Sequence, residues 1–123
     1  EVIIINIHLE AFDKATRVQQ FDAVLEIFDT YKTSYPTILL GDFNSLATDH
    51  EAIIQKMFVM KDIGNAAFDT TNPSKTFDSE NPKERIDYIF YTKNTIEYID
   101  GSVLLSYEQA SDHLPVAMKF RLK

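Results

Sequence analysis

"TILLGDFNS", Thr37–Ser45, runs from four apolar-strand residues directly into a glycine, an aspartate, an aromatic, an asparagine and a serine. The first four read as a short buried strand. The last five suit either a plain turn or a site that grips a metal or a phosphate. The residues on either side set the scaffold. Upstream, "VIIINIHL" (Val2–Leu9) is almost continuously apolar and β-branched, as expected of a central strand covered on both faces. Between the two strands, "TRVQQFDAVLEIFDTYK" places Val18, Phe21, Val24, Leu25, Phe28 and Tyr31 on one helical stripe. Thr16 and Gln19 have capping-box spacing at its start. Strand, helix and strand together make one β-α-β unit. Thr48 and Glu51 form a second capping-box pair, opening a helix through "EAIIQKMF".

The second half changes character. "DTTNPSKTFDSENPKE" (Asp69–Glu84) is polar, holds two prolines and reads as a loop, and loops of that length in compact domains are often functional. "RIDYIFYT", "IEYIDGSVLL" and "VAMKFRLK" follow as strands. In the last, Val116, Met118, Phe120 and Leu122 share one face while Lys119, Arg121 and Lys123 share the other. The expectation is an α/β (α+β) fold: a mixed, mainly antiparallel sheet with helices on one side.

Bulk properties narrow the function. At 123 residues the chain is one domain or part of one, and 45% hydrophobic with 25% charged is ordinary for a globular protein. The apolar runs are far shorter than a membrane span. With no cysteine, disulfides and thiolate metal sites are excluded. A net charge of −7 argues against a general electrostatic grip on nucleic acid. It leaves room for an enzyme that handles phosphates through a bound cation. The chain opens at Glu1, inside strand-like sequence, so the natural start and any targeting signal are expected to lie elsewhere.

Polar residues interrupt this scaffold at strand ends, where loops from different strands converge on one cleft. They are His8, Asp42, Asn44, Asp87, and the pair Asp112 and His113. Each has a plain structural explanation. His8 fits a satisfied core histidine, and "DFN" fits an Asx turn. Asp87 fits a surface charge paired with Arg85 or Lys83. "SDH" fits a turn, with Pro115 holding Leu114 extended.

Their order weakens those separate explanations. An apolar strand with "N-x-H-L", then "GDFN", then "R-I-D-Y-I-F", then "S-D-H-L-P-V", resembles the endonuclease/exonuclease/phosphatase family from Ile3 to about Val116. "GDFN" alone is moderately specific; followed by the other two at these separations it is strong. The resemblance implies one lobe of a four-layer αββα sandwich of the deoxyribonuclease I type, with residues 1–123 as the C-terminal part of the domain. It implies metal-dependent hydrolysis of phosphodiesters, of nuclease or phosphodiesterase type, with Mg²⁺ or Mn²⁺ as cofactor. By the same resemblance His113 is the general base and Asp87 its partner. Asn44 donates to a phosphate oxygen, and His8 donates to the phosphate or assists the leaving oxygen. Asp42 and Asp112 hold the attacking water or the metal, and Gly41 lets the backbone turn tightly. The family's metal-binding glutamate and an upstream asparagine belong to the first half of its domain. Neither is assigned here, and neither Glu10 nor Glu1 is put in their place.

Partners follow from the same reading: a phosphate-ester substrate (nucleic acid, phospholipid or small phosphodiester), and either the N-terminal lobe or a second copy against the sheet face left bare by the helices. Two other classes stay open. A non-catalytic domain of this fold would bind a phosphorylated partner, and a structural fragment would pair its exposed sheet with another chain. Lys75 and Lys83 in the 69–84 loop form no arginine cluster for reading bases or multiple phosphates.

Overall fold

The β-α-β unit forms as the sequence predicts. Strand β1 (Ile3–His8) leads through helix α1 (Lys14–Lys32) to strand β2 (Thr37–Asp42), which lies parallel to it. The coordinates are a computed structural model, and they describe residues 1–48, 53–69, 74–107 and 110–123. Helix α2 (Ile53–Phe58), a short strand β3 (Ile63–Asn65) and strand β4 (Asp87–Thr92) follow. β4 runs antiparallel to both β2 and β3, giving a four-stranded sheet in the order β1-β2-β4-β3. Strands β5 (Ile96–Val103) and β6 (Val116–Leu122) form a separate antiparallel pair instead of extending the main sheet.

The two faces of the main sheet divide the core. Leu39, Tyr88 and Phe90 point toward the helices, packing with Phe21 and Phe28 of α1 and Ile53, Ile54 and Met57 of α2. Ile38, Ile89 and Tyr91 point the other way and meet Ile96, Val116 and Met118 of the β5–β6 pair. That packing corrects the expectation of a bare second face: Ile38, Ile89 and Tyr91 are buried beneath the hairpin. Bareness is confined to β1, which lies at the sheet edge rather than at its centre. Its residues alternate, with Ile3, Ile5 and Ile7 half-buried while Ile4, Asn6 and His8 are exposed.

Helix α1 starts earlier than the capping-box spacing implied. Asp13 is the N-cap, its side chain accepting from the Ala15 amide at 3.1 Å and from the Thr16 hydroxyl at 2.7 Å. Asp outranks Thr at this position, so Thr16 becomes a first-turn residue bonded to the true cap. On the predicted stripe Phe21 and Phe28 are fully buried, and Tyr31 faces out, stacked obliquely on Tyr35. Glu51 of the second capping pair lies outside the described residues. The β6 alternation holds in part: Val116 and Met118 pack inward while Phe120 and Leu122 reach past the hairpin's cover.

Candidate active site

"GDFN" alternates between the cleft and the core. Gly41 is still within β2, at φ +133°, and a Cβ there would lie 1.9 Å from the Ile7 carbonyl oxygen. The glycine therefore answers to close strand approach and a positive φ, not to a turn. Phe43 is fully buried, edge-on to Tyr88 and Phe90. Asp42 and Asn44, either side of it, line the cleft. Anchoring Phe43 fixes where both polar neighbours point.

Cross-strand register does the rest. His8 pairs with Asp42 across β1–β2, and Asp42 pairs with Asp87 across β2–β4. Residues directly opposite in a sheet share a face, so these three form one row at the carboxyl ends of the two parallel strands. Ligands of open α/β sheets bind at that end. His113 arrives from the segment preceding β6. Its Nδ1 lies 2.8 Å from Asp87 Oδ2, and its Nε2 lies 3.7 Å from Asp42 Oδ2. His8 Nε2 approaches the same Asp42 oxygen at 3.5 Å, with its side chain largely in solvent. Five of the six predicted residues thus converge. Asp112 stands on the cleft wall, exposed, outside the group of Asp42, Asp87 and His113 whose ligand atoms lie within 4.8 Å of one another.

Of the structural explanations weighed for these residues, the Asx turn coexists with the site, whereas His8 is largely exposed and is no satisfied core histidine. Asp42 Oδ1 accepts from the Asn44 amide at 2.8 Å, which is an Asx turn, and leaves Oδ2 to face the histidines. Asn44 sits at φ +45° and donates Nδ2 to the Leu9 carbonyl at 2.7 Å. Its second amide hydrogen remains for the cleft. Arg85 does not pair with the Asp87 carboxylate; its Nε donates to the Asp87 main-chain carbonyl at 2.6 Å.

Electrostatics separate the roles. Burial pushes the Asp42 carboxyl up; the Asn44 amide opposes this, the Asp87 charge adds to it, and the two histidines oppose it. For His113, burial alone would lower the imidazole, but the hydrogen bond and charge of Asp87, with Asp42 and Asp112, outweigh it and raise the pKa.

Three supporting residues escaped the sequence reading. The Thr76 hydroxyl is buried and accepts from the Ile86 and Asp87 amides at 3.3 and 3.4 Å, while the Thr76 carbonyl accepts from the Leu114 amide at 2.7 Å. Phe77 lies in ring contact with His113, centroids 5.0 Å apart. Lone β-bridges join Phe77 to Glu84 and to His113, so this part of the predicted loop holds His113 in place. Arg85 is buried between the rings of Phe68 and Tyr88, and it donates to Ala66, Ala67, Ser74 and Asp87 carbonyls. Its burial lowers its pKa. A buried arginine in "KERID" carried no signal of this in sequence, because its partners are main-chain carbonyls.

Residues 4–113 match the family model described as the endonuclease/exonuclease/phosphatase family. The chain belongs to that family. Two curated proteins of Vibrio cholerae, each named only as a UPF0294 protein, are 25% identical to it over 122 residues. The match takes in 99% of this chain and 41% of each relative. Among solved structures, a conserved protein of unknown function from Enterococcus faecalis superposes with TM-score 0.76 at 25% identity, over 98% of this chain and 50% of the other. A mannosyl-6-phosphatase of Bacteroides thetaiotaomicron gives 0.71 at 23% identity, over 96% and 50%. The human nocturnin catalytic domain, solved with a bound sulfate anion, gives 0.72 at 20% identity, over 98% and 46%. At these identities the last two show the fold. The chain spans about half the length of the proteins it matches or less.

Proposed function

We propose that this family member contributes the general-base half of a metal-assisted phosphoesterase, cleaving phosphodiesters of the nuclease or phosphodiesterase type. The carrying observation is the 2.8 Å contact between His113 Nδ1 and Asp87, with Nε2 directed toward Asp42. With Asp87 accepting from Nδ1–H, Nε2 keeps its lone pair and is the atom that can take a proton. A water beside Nε2 loses that proton to it as its oxygen bonds to phosphorus. The P–O bond to the leaving group breaks in line, and the departing oxygen takes up a proton, a role open to the exposed imidazole of His8 beside Asp42. Asn44 offers its remaining N–H to a non-bridging oxygen.

Asp42 has one carboxylate oxygen free of the Asx turn. It belongs, with Asp87 and His113, to the group whose ligand atoms lie within 4.8 Å of one another, while Asp112 on the cleft wall lies outside that group. Asp42 is therefore the carboxylate here suited to a hard divalent ion. Such an ion, Mg²⁺ or Mn²⁺, would neutralise charge on the phosphoryl oxygens. Asp87 is committed to His113 and is not assigned to the metal.

An assay of the intact protein with phosphodiester and phosphomonoester substrates tests this. Turnover should require Mg²⁺ or Mn²⁺, disappear with excess chelator and return on adding the ion back. Full activity in excess chelator would remove the metal from the mechanism. Divalent-ion binding without hydrolysis of any phosphoester would select the non-catalytic binding domain instead.

A further inference from the structure

Asp87 and His113 arrive from different segments. Among the described residues, no main-chain hydrogen bond joins the 84–87 stretch directly to 111–114. Residues 76–79 lie between the two and are bonded to both. On one side the Thr76 and Phe77 amides donate to the Glu84 carbonyl at 2.8 and 3.0 Å, and the Glu84 amide donates to the Phe77 carbonyl at 2.9 Å. On the other side the Leu114 amide donates to the Thr76 carbonyl at 2.7 Å and the Ser79 amide to the Asp112 carbonyl at 2.8 Å. The Ser79 hydroxyl adds a bond to the Ser111 carbonyl at 2.6 Å. The 2.8 Å contact between Asp87 and His113 is thus spanned by a clasp.

One side chain ties the clasp to Asp87 itself. Thr76 is fully buried, and its hydroxyl accepts from the consecutive Ile86 and Asp87 amides at the entry to β4. Its carbonyl holds the amide that follows His113. Thr76 therefore reaches both partners of the pair, one through its side chain and the other through its main chain. Next to it, the Phe77 ring packs on the imidazole, centroids 5.0 Å apart, and limits its rotation. A buried threonine that caps amides is usually structural, and losing its hydroxyl then costs stability alone. Here the capped amide belongs to the residue that holds the imidazole, so the hydroxyl has a second consequence.

We propose that Thr76 is a positioning residue: its hydroxyl sets the place of Asp87, and so holds the His113 imidazole with Nδ1 protonated and Nε2 facing Asp42. The effect on rate rests on the phosphoesterase reading above, whereas the effect on the imidazole rests on geometry alone. Which nitrogen of a neutral imidazole carries the proton is set by its hydrogen-bond partners. An Asp87 carboxylate displaced by about 1 Å no longer holds Nδ1–H, and a misplacement of that size costs roughly 100-fold in rate.

The test uses the intact protein, chelator-treated for spectroscopy and at alkaline pH, where the ring is neutral. Nitrogen NMR of the His113 ring, assigned by its absence from His113→Gln, should show Nδ1 protonated in the wild type. Thr76→Val should shift the proton toward Nε2 and, with Mg²⁺ restored, lower kcat roughly 10- to 100-fold with little change in KM. Thr76→Ser keeps the hydroxyl and should restore both. Thr92→Val removes another buried hydroxyl, in β4, and should move neither. A folded Thr76→Val that keeps the wild-type tautomer overturns the proposal, and so does one that shifts the tautomer at wild-type kcat. Hydrolysis by the wild type keeps the phosphoesterase reading in both cases. A tautomer shift rescued by Thr76→Ser, in a protein that hydrolyses no ester, sustains the positioning role and ends the phosphoesterase reading. Should Thr76→Val fail to fold, native-state hydrogen exchange on the wild type decides. The Asp87 and Leu114 amides, both bonded to Thr76, should exchange through one shared opening, and independent exchange overturns the proposal.

Discussion

Asp42 and Asp87 stand directly opposite one another in the antiparallel pairing of β2 and β4. Like charges in that position destabilise a sheet. Here His113 lies against both, with Nδ1 on Asp87 and Nε2 toward Asp42. The fold thus tolerates a repulsive pair where an imidazole that gains a proton can lie between them. The arrangement is well suited to a base whose conjugate acid must be stabilised.

His113→Ala should therefore lower the turnover of a phosphodiester by roughly 10²–10⁴-fold in the intact protein. Asp87→Asn should cost a comparable factor, since it removes the charge that favours the imidazolium and can misdirect the tautomer. Both should keep the wild-type circular-dichroism spectrum. The acid limb of kcat/KM should titrate above the ordinary histidine value, because His113 must be neutral to act and its pKa is raised. Near-wild-type turnover by His113→Ala would remove the base from its assigned role.

Asp42→Asn should separate activity from stability. The Asp42 pKa is raised, so the folded state favours the protonated carboxyl. Relative to its ionised form that preference is fully present below the ordinary carboxylate range and lost as pH rises through the raised value. Asparagine keeps the Oδ1 that caps the Asn44 amide and cannot ionise. In chelator-treated protein the variant should melt close to wild type near pH 3 and above it near pH 8, and with Mg²⁺ or Mn²⁺ restored it should lack the wild-type activity. A lower Tm at pH 8 would show that Asp42 ionises without cost.

Much of this site was legible because its residues contradict their surroundings. Asp87 in "RIDYIF" is out of place in an apolar run, and the structure sets it at the first position of β4, where the strand opens onto the cleft. The β-α-β unit followed from two periodicities that agree. What stayed hidden depends on tertiary partners. Neither β-propensity nor alternation in "IEYIDGSV" distinguishes a fifth strand of the main sheet from one half of a hairpin laid across it. β1 reads as central because its composition is apolar, yet composition does not reveal which neighbour pairs with an edge. Thr76 and Arg85 act through main-chain groups, which leave no complementary residue in the sequence.

Gly41→Ala should be severe although it adds one methyl group. The Cβ would fall 1.9 Å from the Ile7 carbonyl oxygen, and the φ of +133° is one that alanine rarely adopts. Backbone on both sides leaves no flexible side chain to move, so β1 and β2 would have to separate. A loss on the order of 3 kcal/mol, or failure to fold, is expected in chemical denaturation. Gly101→Ala is the comparison, since its nearest atom is the Tyr98 hydroxyl at the end of a side chain. Its nearest backbone atom, the Ala117 carbonyl oxygen, lies at 2.9 Å rather than 1.9 Å, and its φ is outside the left-handed region. If the two variants lost similar stability, the strand contact at Gly41 would not be the cause.

Arg85 should matter for both stability and rate, and the two effects can be told apart. Its guanidinium donates to four main-chain carbonyls and lies 5.5 and 5.4 Å from the ring centres of Phe68 and Tyr88. Arg85→Met keeps much of the packing but strands those carbonyls, for an expected cost of about 3 kcal/mol in urea unfolding. Arg85→Lys keeps a charge on a flexible stem whose donors do not reproduce the planar fork, and should fall between. The bond to the Asp87 carbonyl adds a second consequence. Releasing it frees the strand end that presents Asp87 to His113, so kcat in folded Arg85→Lys should drop about 10-fold with little change in KM. The acid limb of its pH profile should move back toward the ordinary histidine value as the pair loosens. A destabilised variant with wild-type kcat and pH profile would confine Arg85 to holding the loop.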